Sequence, residues 1–250
     1  KSTRLRNKVS AALTYPLMML AIGGLVVFVL MWKVVPQFKT IFEGMDTAMP
    51  APTQLLIDMS YFIAEQYGWA VIIFSPFCVF FFFKLLKTSE GGRLFVDNLK
   101  LRIPIFGLII SKTAVARFTR TLGTLLTAGV PILEALNITR ETAGNEVYSR
   151  AMIRVHDGIR EGESFAEPLR KTRVVEAMVV NMIDVGEETG ELDKMLIKVA
   201  DNYDDEVDTL VSSMVSMLEP IMVITLGIIV GFIVVSLFMP LVSMIQGFSR

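Results

Sequence analysis

Ser216-Met-Leu-Glu-Pro-Ile-Met-Val-Ile-Thr-Leu-Gly-Ile-Ile-Val-Gly-Phe-Ile-Val-Val-Ser-Leu-Phe-Met-Pro240 decides the fold, because no charged side chain occurs in it between Pro220 and Met239. About 20 apolar residues, each rising about 1.5 Å, match a hydrocarbon core of about 30 Å, so the stretch is predicted to cross a membrane as a helix. A version of it stands near the start of the chain. A shift of 204 positions sets Pro16 on Pro220, Met18 on Met222, Gly23 on Gly227, Phe28 on Phe232 and Pro36 on Pro240. Matched aliphatic residues carry little weight, but Pro, Gly, Phe and Pro coinciding at one offset indicate an internal duplication.

Working outward, Pro16 to Trp32 is equally uncharged and is closed by Lys33, which can snorkel to the interface beside Trp32. A third apolar run, Trp69 to Phe83, reaches spanning length with Tyr67 before it and Lys84 to Lys87 after it. The expectation is three transmembrane helices, at 14–35, 68–86 and 219–241. A signal peptide would have a shorter apolar region ending at small residues, whereas Trp32-Lys-Val-Val-Pro36 follows here, so the first helix is read as permanent.

The 250 residues are 53% hydrophobic with a formal net charge of −1, and their mean hydropathy is +0.56. That is a membrane-protein composition, and it carries no basic, aromatic-interleaved patch of the kind nucleic acids select. The single cysteine, Cys78, lies within a predicted span and permits no intrachain disulfide.

Orientation follows from the cations. Lys1, Arg4, Arg6 and Lys8 precede the first span, and Lys84, Lys87, Arg93, Lys100 and Arg102 follow the second. The connection 36–67 instead sets Lys39 against Glu43, Asp46, Asp58 and Glu65. By the positive-inside rule the N-terminus and the region after Lys84 are cytoplasmic, while the loop 36–67 and the tail 242–250 are external. Within the loop, Met49-Pro-Ala-Pro52 breaks the chain. Thr53 followed by Leu55, Leu56, Met59 and Phe62 reads as a capped amphipathic helix on the membrane surface.

Residues 87–218 read as one cytoplasmic domain, an antiparallel six-helix bundle. Val115, Phe118, Leu122, Leu125 and Leu126 form one apolar stripe, ended at Ala128-Gly-Val-Pro131. Ile132, Leu133, Leu136 and Thr139 carry a second helix, and Val147, Ala151, Val155 and Ile159 a third that ends at Gly162. Ser164-Phe-Ala-Glu167 has capping-box spacing for a short fourth, and Val174 to Val185 makes a nearly apolar, buried fifth. Gly186-Glu-Glu-Thr-Gly190 breaks the chain before a sixth, whose first turn holds Glu191 and Asp193. Pro16 and Pro220 each mark a helix kink or start, and the sixth helix is expected to kink or break near Leu218.

Catalytic groups are scarce. His156 is the only histidine, so no paired-histidine metal site or metalloprotease motif exists, and no phosphate-binding Gly-x-x-x-x-Gly-Lys-Ser/Thr loop occurs. No catalytic, cofactor-binding or metal residue is assigned, and no cofactor is expected. The spans hold no ionisable group of the kind carriers use, which argues against a transporter or channel, the competing class. Gly227-x-x-x-Gly231, and Gly23 in the first copy, are candidate helix-packing positions. Asp201, Asp204, Asp205 and Asp208 share one helix face and are open to three readings: solvation, a basic partner or a divalent cation. Glu187, Glu188 and Glu191 around the glycine turn are similar. Arg117, Arg120, Arg150 and Arg154 suit an acidic partner or intradomain pairing with these acids.

Phe118-Thr-Arg-Thr-Leu-Gly-Thr-Leu-Leu-Thr-Ala-Gly-Val-Pro-Ile-Leu-Glu-Ala-Leu136, Gly162-Glu-Ser-Phe-Ala-Glu-Pro-Leu169, Val185-Gly-Glu-Glu-Thr-Gly-Glu-Leu-Asp193, Leu196 to Val207 and Leu218-Glu-Pro220 follow one another in this order. Together they resemble the inner-membrane platform proteins of type II secretion and type IV pilus systems, the GspF/PilC or T2SF family. The resemblance implies two homologous helical domains, each preceding a span, so residues 1–13 would be the cytoplasmic end of a first domain that this chain lacks. It also implies a non-enzymatic scaffold that receives an assembly ATPase and passes its motion to pilins or pseudopilins. Other inner-membrane machine subunits, a homo-oligomeric partner and membrane lipid complete the expected contacts, with no nucleic acid.

Overall fold

The computed structural model describes residues 2–43, 49–64 and 68–248, all in helices and short connections. Asp46, Glu65 and Tyr67 of the loop and the end of the external tail lie outside the described residues. In chain order the helices are α1 (Ser2–Val29), a π-helical turn (Leu30–Val34), α2 (Val35–Glu43), α3 (Ala51–Ala64), α4 (Gly68–Leu86), α5 (Glu90–Arg102), α6 (Phe106–Thr127), α7 (Ile132–Thr142), α8 (Glu146–Arg160), α9 (Ala166–Thr172), α10 (Ala177–Glu188) and α11 (Leu192–Phe248). They form two compact units, Lys1–Phe81 with Met214–Arg250, and Phe82–Ser213.

Two of the described helical segments, Thr14–Ile41 and Leu192–Val242, are long and apolar enough to cross a membrane. Apolar side chains stand exposed along both, among them Leu17, Leu20 and Leu25 in the first and Ile224, Ile228 and Val235 in the second. Large exposed apolar surface over that length is what a lipid solvent permits and water does not. Within α4 the described apolar portion is Phe74–Leu86.

In the first unit the duplicated segments lie side by side and run parallel. The Tyr15 hydroxyl donates to Glu219 Oε1 at 3.4 Å, across a sequence separation of 204. A Cβ on Gly23 would come 2.9 Å from Leu226 Cδ2, so glycine admits the neighbouring helix there. Further along, Met31 and Val35 share a buried cluster with Ile233 and Leu237, completed by Leu56 and Ile57 of α3.

Proline explains how α3 is held. Val35 N–H bonds to Leu30 O, five residues back, and in that register Met31 O should receive the amide of Pro36, which has none. The Ser60 hydroxyl donates to Met31 O instead, at 2.5 Å. In α11 the carbonyl of Ser236 loses its helical donor to Pro240, and the Thr53 hydroxyl supplies one at 2.6 Å. Thr53 and Ser60 are seven residues apart, hence on one face of α3, and both are buried. The duplicated prolines at 36 and 240 thus create two orphaned carbonyls, and one helix satisfies both.

This corrects the reading of α3. Its helix begins before Thr53, so that residue does not cap it, and Leu55, Met59 and Phe62 are exposed, while Thr53, Leu56, Ile57 and Ser60 face the neighbouring helices. Of the two alternatives for Pro16 and Pro220, a helix start is excluded: both sit inside helices, and α11 continues as helix through Pro220 and Pro240. A proline forfeits one donor without ending a helix whose other hydrogen bonds and lateral packing persist.

The second unit is built around one core in which Phe118, Leu122, Leu136, Met152, Val155, Phe165, Leu169, Ile183 and Leu196 are buried, so each predicted stripe turns inward. The expected six helices are present, but α5 precedes them, and the described unit therefore uses seven. Asp97 joins α5 to the rest. It is 7% exposed, accepts the Glu146 amide at 3.2 Å at the start of α8, and meets Lys87 Nζ at 3.1 Å and Lys100 Nζ at 3.4 Å. Burial alone would raise its carboxyl, but the amide and the Lys87 ammonium outweigh it and hold Asp97 below the usual carboxylate range.

Candidate partner-docking site

The acidic and basic residues singled out in the sequence separate into two groups. Arg120 Nη2 donates to Asp201 Oδ1 at 2.9 Å and to Asp204 Oδ2 at 2.7 Å, tying α6 to α11. The guanidinium occupies the place between stacked carboxylates that a cation would take, so these two acids serve the fold. Among the described residues no group of three or more metal-ligating side chains is assembled. Arg150 pairs with Glu146 at 3.0 Å, not with the acidic face, and Arg117 lies exposed over Gly144.

Glu187 is also structural. Its carboxylate accepts the Phe165 amide at 2.7 and 2.8 Å and the Ala166 amide at 3.2 Å, capping α9 from another helix. The expected local capping box contributes less: Ser164 Oγ lies 3.4 Å from the Glu167 amide, and Glu167 turns to Arg170. A tertiary carboxylate reaching two amides displaces a local box because its charge strengthens each bond.

The turn that positions Glu187 is a glycine-ended helix terminus. Glu191 N–H reaches Gly186 O at 2.8 Å, Gly190 N–H reaches Glu187 O at 3.3 Å, and Gly190 has φ +73°, a conformation that favours glycine. The same device closes α6 at Gly129, where φ is +80°. Glu191 pairs with Lys194, while Glu188 and Asp205 are exposed and Asp208 is half-buried.

The fifth predicted helix is corrected here. α10 buries Val179, Val180 and Ile183, but Met178 and Val185 are 61% and 49% exposed. With Asn181 and Glu188 they form an exposed row at steps of three and four residues, contiguous with the glycine turn. An apolar composition does not reveal which side of a two-sided helix lacks a neighbour.

Lys112 was not singled out by sequence reasoning. It is 8% exposed, lies over the Tyr203 ring at 4.5 Å, reaches Glu176 at 3.1 Å and pairs with Glu206. Burial works against its charge, but the hydrogen bonds to Glu206 and Glu176 outweigh it and raise the ammonium further. Tyr203, pushed up first by burial and then by the same carboxylates, keeps its proton as well. The ammonium, the ring and the two carboxylates together join α6, α11 and the segment before α10. The one available signal was a lysine interrupting an otherwise apolar helix face.

A methyl group placed on Gly227 or Gly231 would meet no neighbour within 4 Å, unlike one on Gly23. His156 bonds to the adjacent Asp157 at 3.1 Å on the surface of α8.

Residues 118–240 match the family described as type II secretion system (T2SS), protein F. The chain is 42% identical over 244 residues to the type IV pilus assembly protein PilC of Myxococcus xanthus, covering 98% of this chain and 58% of the relative. It is 36% identical to PilC of Pseudomonas aeruginosa over 96% of this chain and 64% of the relative. With the type II secretion system protein F of Xanthomonas campestris pv. campestris it shares 33% identity over 82% of this chain and 50% of the relative. The chain thus spans roughly three fifths of the length of the pilus relatives it matches. Its described residues form helices and no strand, two of those helices are long and apolar enough to cross a membrane, and the chain belongs to the family of type II secretion system protein F and the type IV pilus assembly proteins PilC.

Proposed function

We propose that the chain is the membrane-crossing part of a non-enzymatic inner-membrane platform that couples a cytoplasmic assembly ATPase to the assembly of pilins or pseudopilins. The observation that carries this reading is α11, one helical element whose residues belong to both units and hold the fold-bearing acids at one end and the apolar span at the other. Motion imposed on the folded unit would reach the bilayer through that element.

Three spans, with the N-terminus inside and the C-terminus outside, follow from the same reading. Two parallel spans require the chain to recross the membrane between them, and α4 is the apolar helix available for the return. The cations after Lys84 favour the inner face for the second unit.

Docking is assigned to the exposed row Met178, Asn181, Val185 and Glu188, with Asp205 as a further exposed acid, since Asp201, Asp204 and Glu187 are engaged within the fold. The test is photo-crosslinking in membranes with a benzophenone amino acid at position 178. An ATPase adduct that is lost in Glu188→Lys supports the proposal. ATPase recruited to these membranes without any adduct from the second unit refutes docking through this face. A pilin adduct there would likewise reassign the face.

A further inference from the structure

We infer that the α5–α6 corner is an interfacial anchor that lies on an anionic lipid surface, an inference that rests on α4 crossing the bilayer.

α5 exposes large apolar side chains between its exposed cations Arg93 and Arg102. Phe95 and Leu99, one helical step of four apart, and Ile103 just past the end of α5 are 63%, 43% and 45% exposed, while Val96 and Asp97 are buried. The corner continues the patch with Ile105, Phe106 and Leu108, all exposed. Water gives no return for presenting six large apolar side chains on two adjoining elements, so something apolar covers them.

The backbone holds the corner in this form. Ile105 has φ +65° and ψ −55°, and the Phe106 amide reaches Pro104 O at 2.7 Å, a three-residue turn that a β-branched residue enters only under constraint. A Cβ on Gly107 would overlap Leu101 O, so the close return of α6 onto α5 requires glycine.

Continuity and charge identify the covering surface as lipid. Only Lys87, Thr88 and Ser89 separate the end of α4 from α5, and α5 folds back so closely that a Cβ on Gly92 would collide with Leu86 O. The Arg93 guanidinium fixes this return by donating to Lys87 O at 2.8 Å. The patch therefore follows directly upon a helix that ends in exposed Phe82, Phe83 and Leu85. Residues 84–111 hold five cations and two acids, and one of those acids, Asp97, is buried against Lys87 and Lys100. Exposed Lys84, Arg93 and Arg102 beside an apolar stripe match the composition of an interfacial helix on anionic headgroups.

The test uses the full chain with Cys78→Ala, reconstituted in vesicles of phosphatidylcholine and phosphatidylglycerol. Single cysteines from Leu99→Cys, Phe77→Cys on α4 and Asn137→Cys on α7 carry an environment-sensitive fluorophore. The label at 99 is expected to be quenched by shallowly brominated lipid about twofold or more relative to the label at 137. Replacing phosphatidylglycerol, or Arg102→Glu, is expected to reduce that quenching. Equal quenching at 99 and 137, with 77 quenched by deeply brominated lipid, overturns the anchor and leaves α4 as a span. A label at 99 shielded from aqueous iodide but untouched by brominated lipid also overturns it, since a protein then covers the patch. Absence of quenching at 77 removes both the span and the anchor.

Discussion

Thr53→Val is expected to destabilise the first unit by an amount that depends on whether Pro240 is present. The substitution keeps the side-chain volume and removes the hydroxyl that donates to Ser236 O at 2.6 Å in a fully buried position. A buried acceptor left without a donor costs about 1–3 kcal/mol, while side-chain hydrogen bonds between membrane helices average nearer 0.6 kcal/mol. Because Thr53 and Ser236 are both fully buried, about 1–2 kcal/mol is expected, a five- to thirtyfold change in the folding equilibrium. In Pro240→Ala the amide at position 240 is restored and can donate to Ser236 O within the helix, so the hydroxyl is no longer needed. The cost of Thr53→Val in that background should fall by about 1 kcal/mol. The assay is reversible unfolding of the four variants in mixed dodecylmaltoside and dodecyl sulfate micelles, with midpoints read from tryptophan fluorescence. An equal cost of Thr53→Val in both backgrounds would refute the view that this hydroxyl replaces a proline-deleted donor.

Three further outcomes are expected. Ser236 Oγ is the buried side-chain oxygen that lacks a hydrogen-bond partner among the described residues, so Ser236→Ala should leave stability unchanged or raise it by up to about 1 kcal/mol in the same micelle titration. Glu187→Ala should cost about 1.5–3 kcal/mol, because two α9 amides lose a charged acceptor, and Glu187→Gln should recover part of it, measured by hydrogen exchange across residues 164–172. Asp97 has a lowered carboxyl, so its contribution is present above the unfolded carboxylate value of about 3.9 and is lost as pH falls through the lower folded value. Chemical unfolding followed from about pH 6 to about pH 3 should accordingly show a shallower acid limb in Asp97→Asn.

Local chemistry was legible wherever one residue settled it. Gly129, Gly162 and Gly190 stand at positive φ after the helices they were expected to end, and the stripe through Val115, Phe118 and Leu122 is buried. The acidic residues were not legible in the same way. Asp201 and Asp205 look alike in sequence, yet Asp201 meets Arg120 from α6 while Asp205 is exposed, and nothing within α11 announces which turn faces α6. α5 escaped notice because its buried face holds Asp97 with a lone Val96, a pattern without an apolar stripe.

Length without charge made the two echoing segments helices long and apolar enough to cross a membrane, and the repeated prolines were visible in the linear order. Why those prolines are tolerated depends on residues far away in the chain. The carbonyls they strand are satisfied by Thr53 and Ser60, across 183 and 29 positions, and hydrogen bonds of that reach exist only after helices have packed. Packing likewise divided the acids between fold and surface, because a carboxylate's role is set by the charge that comes to rest beside it.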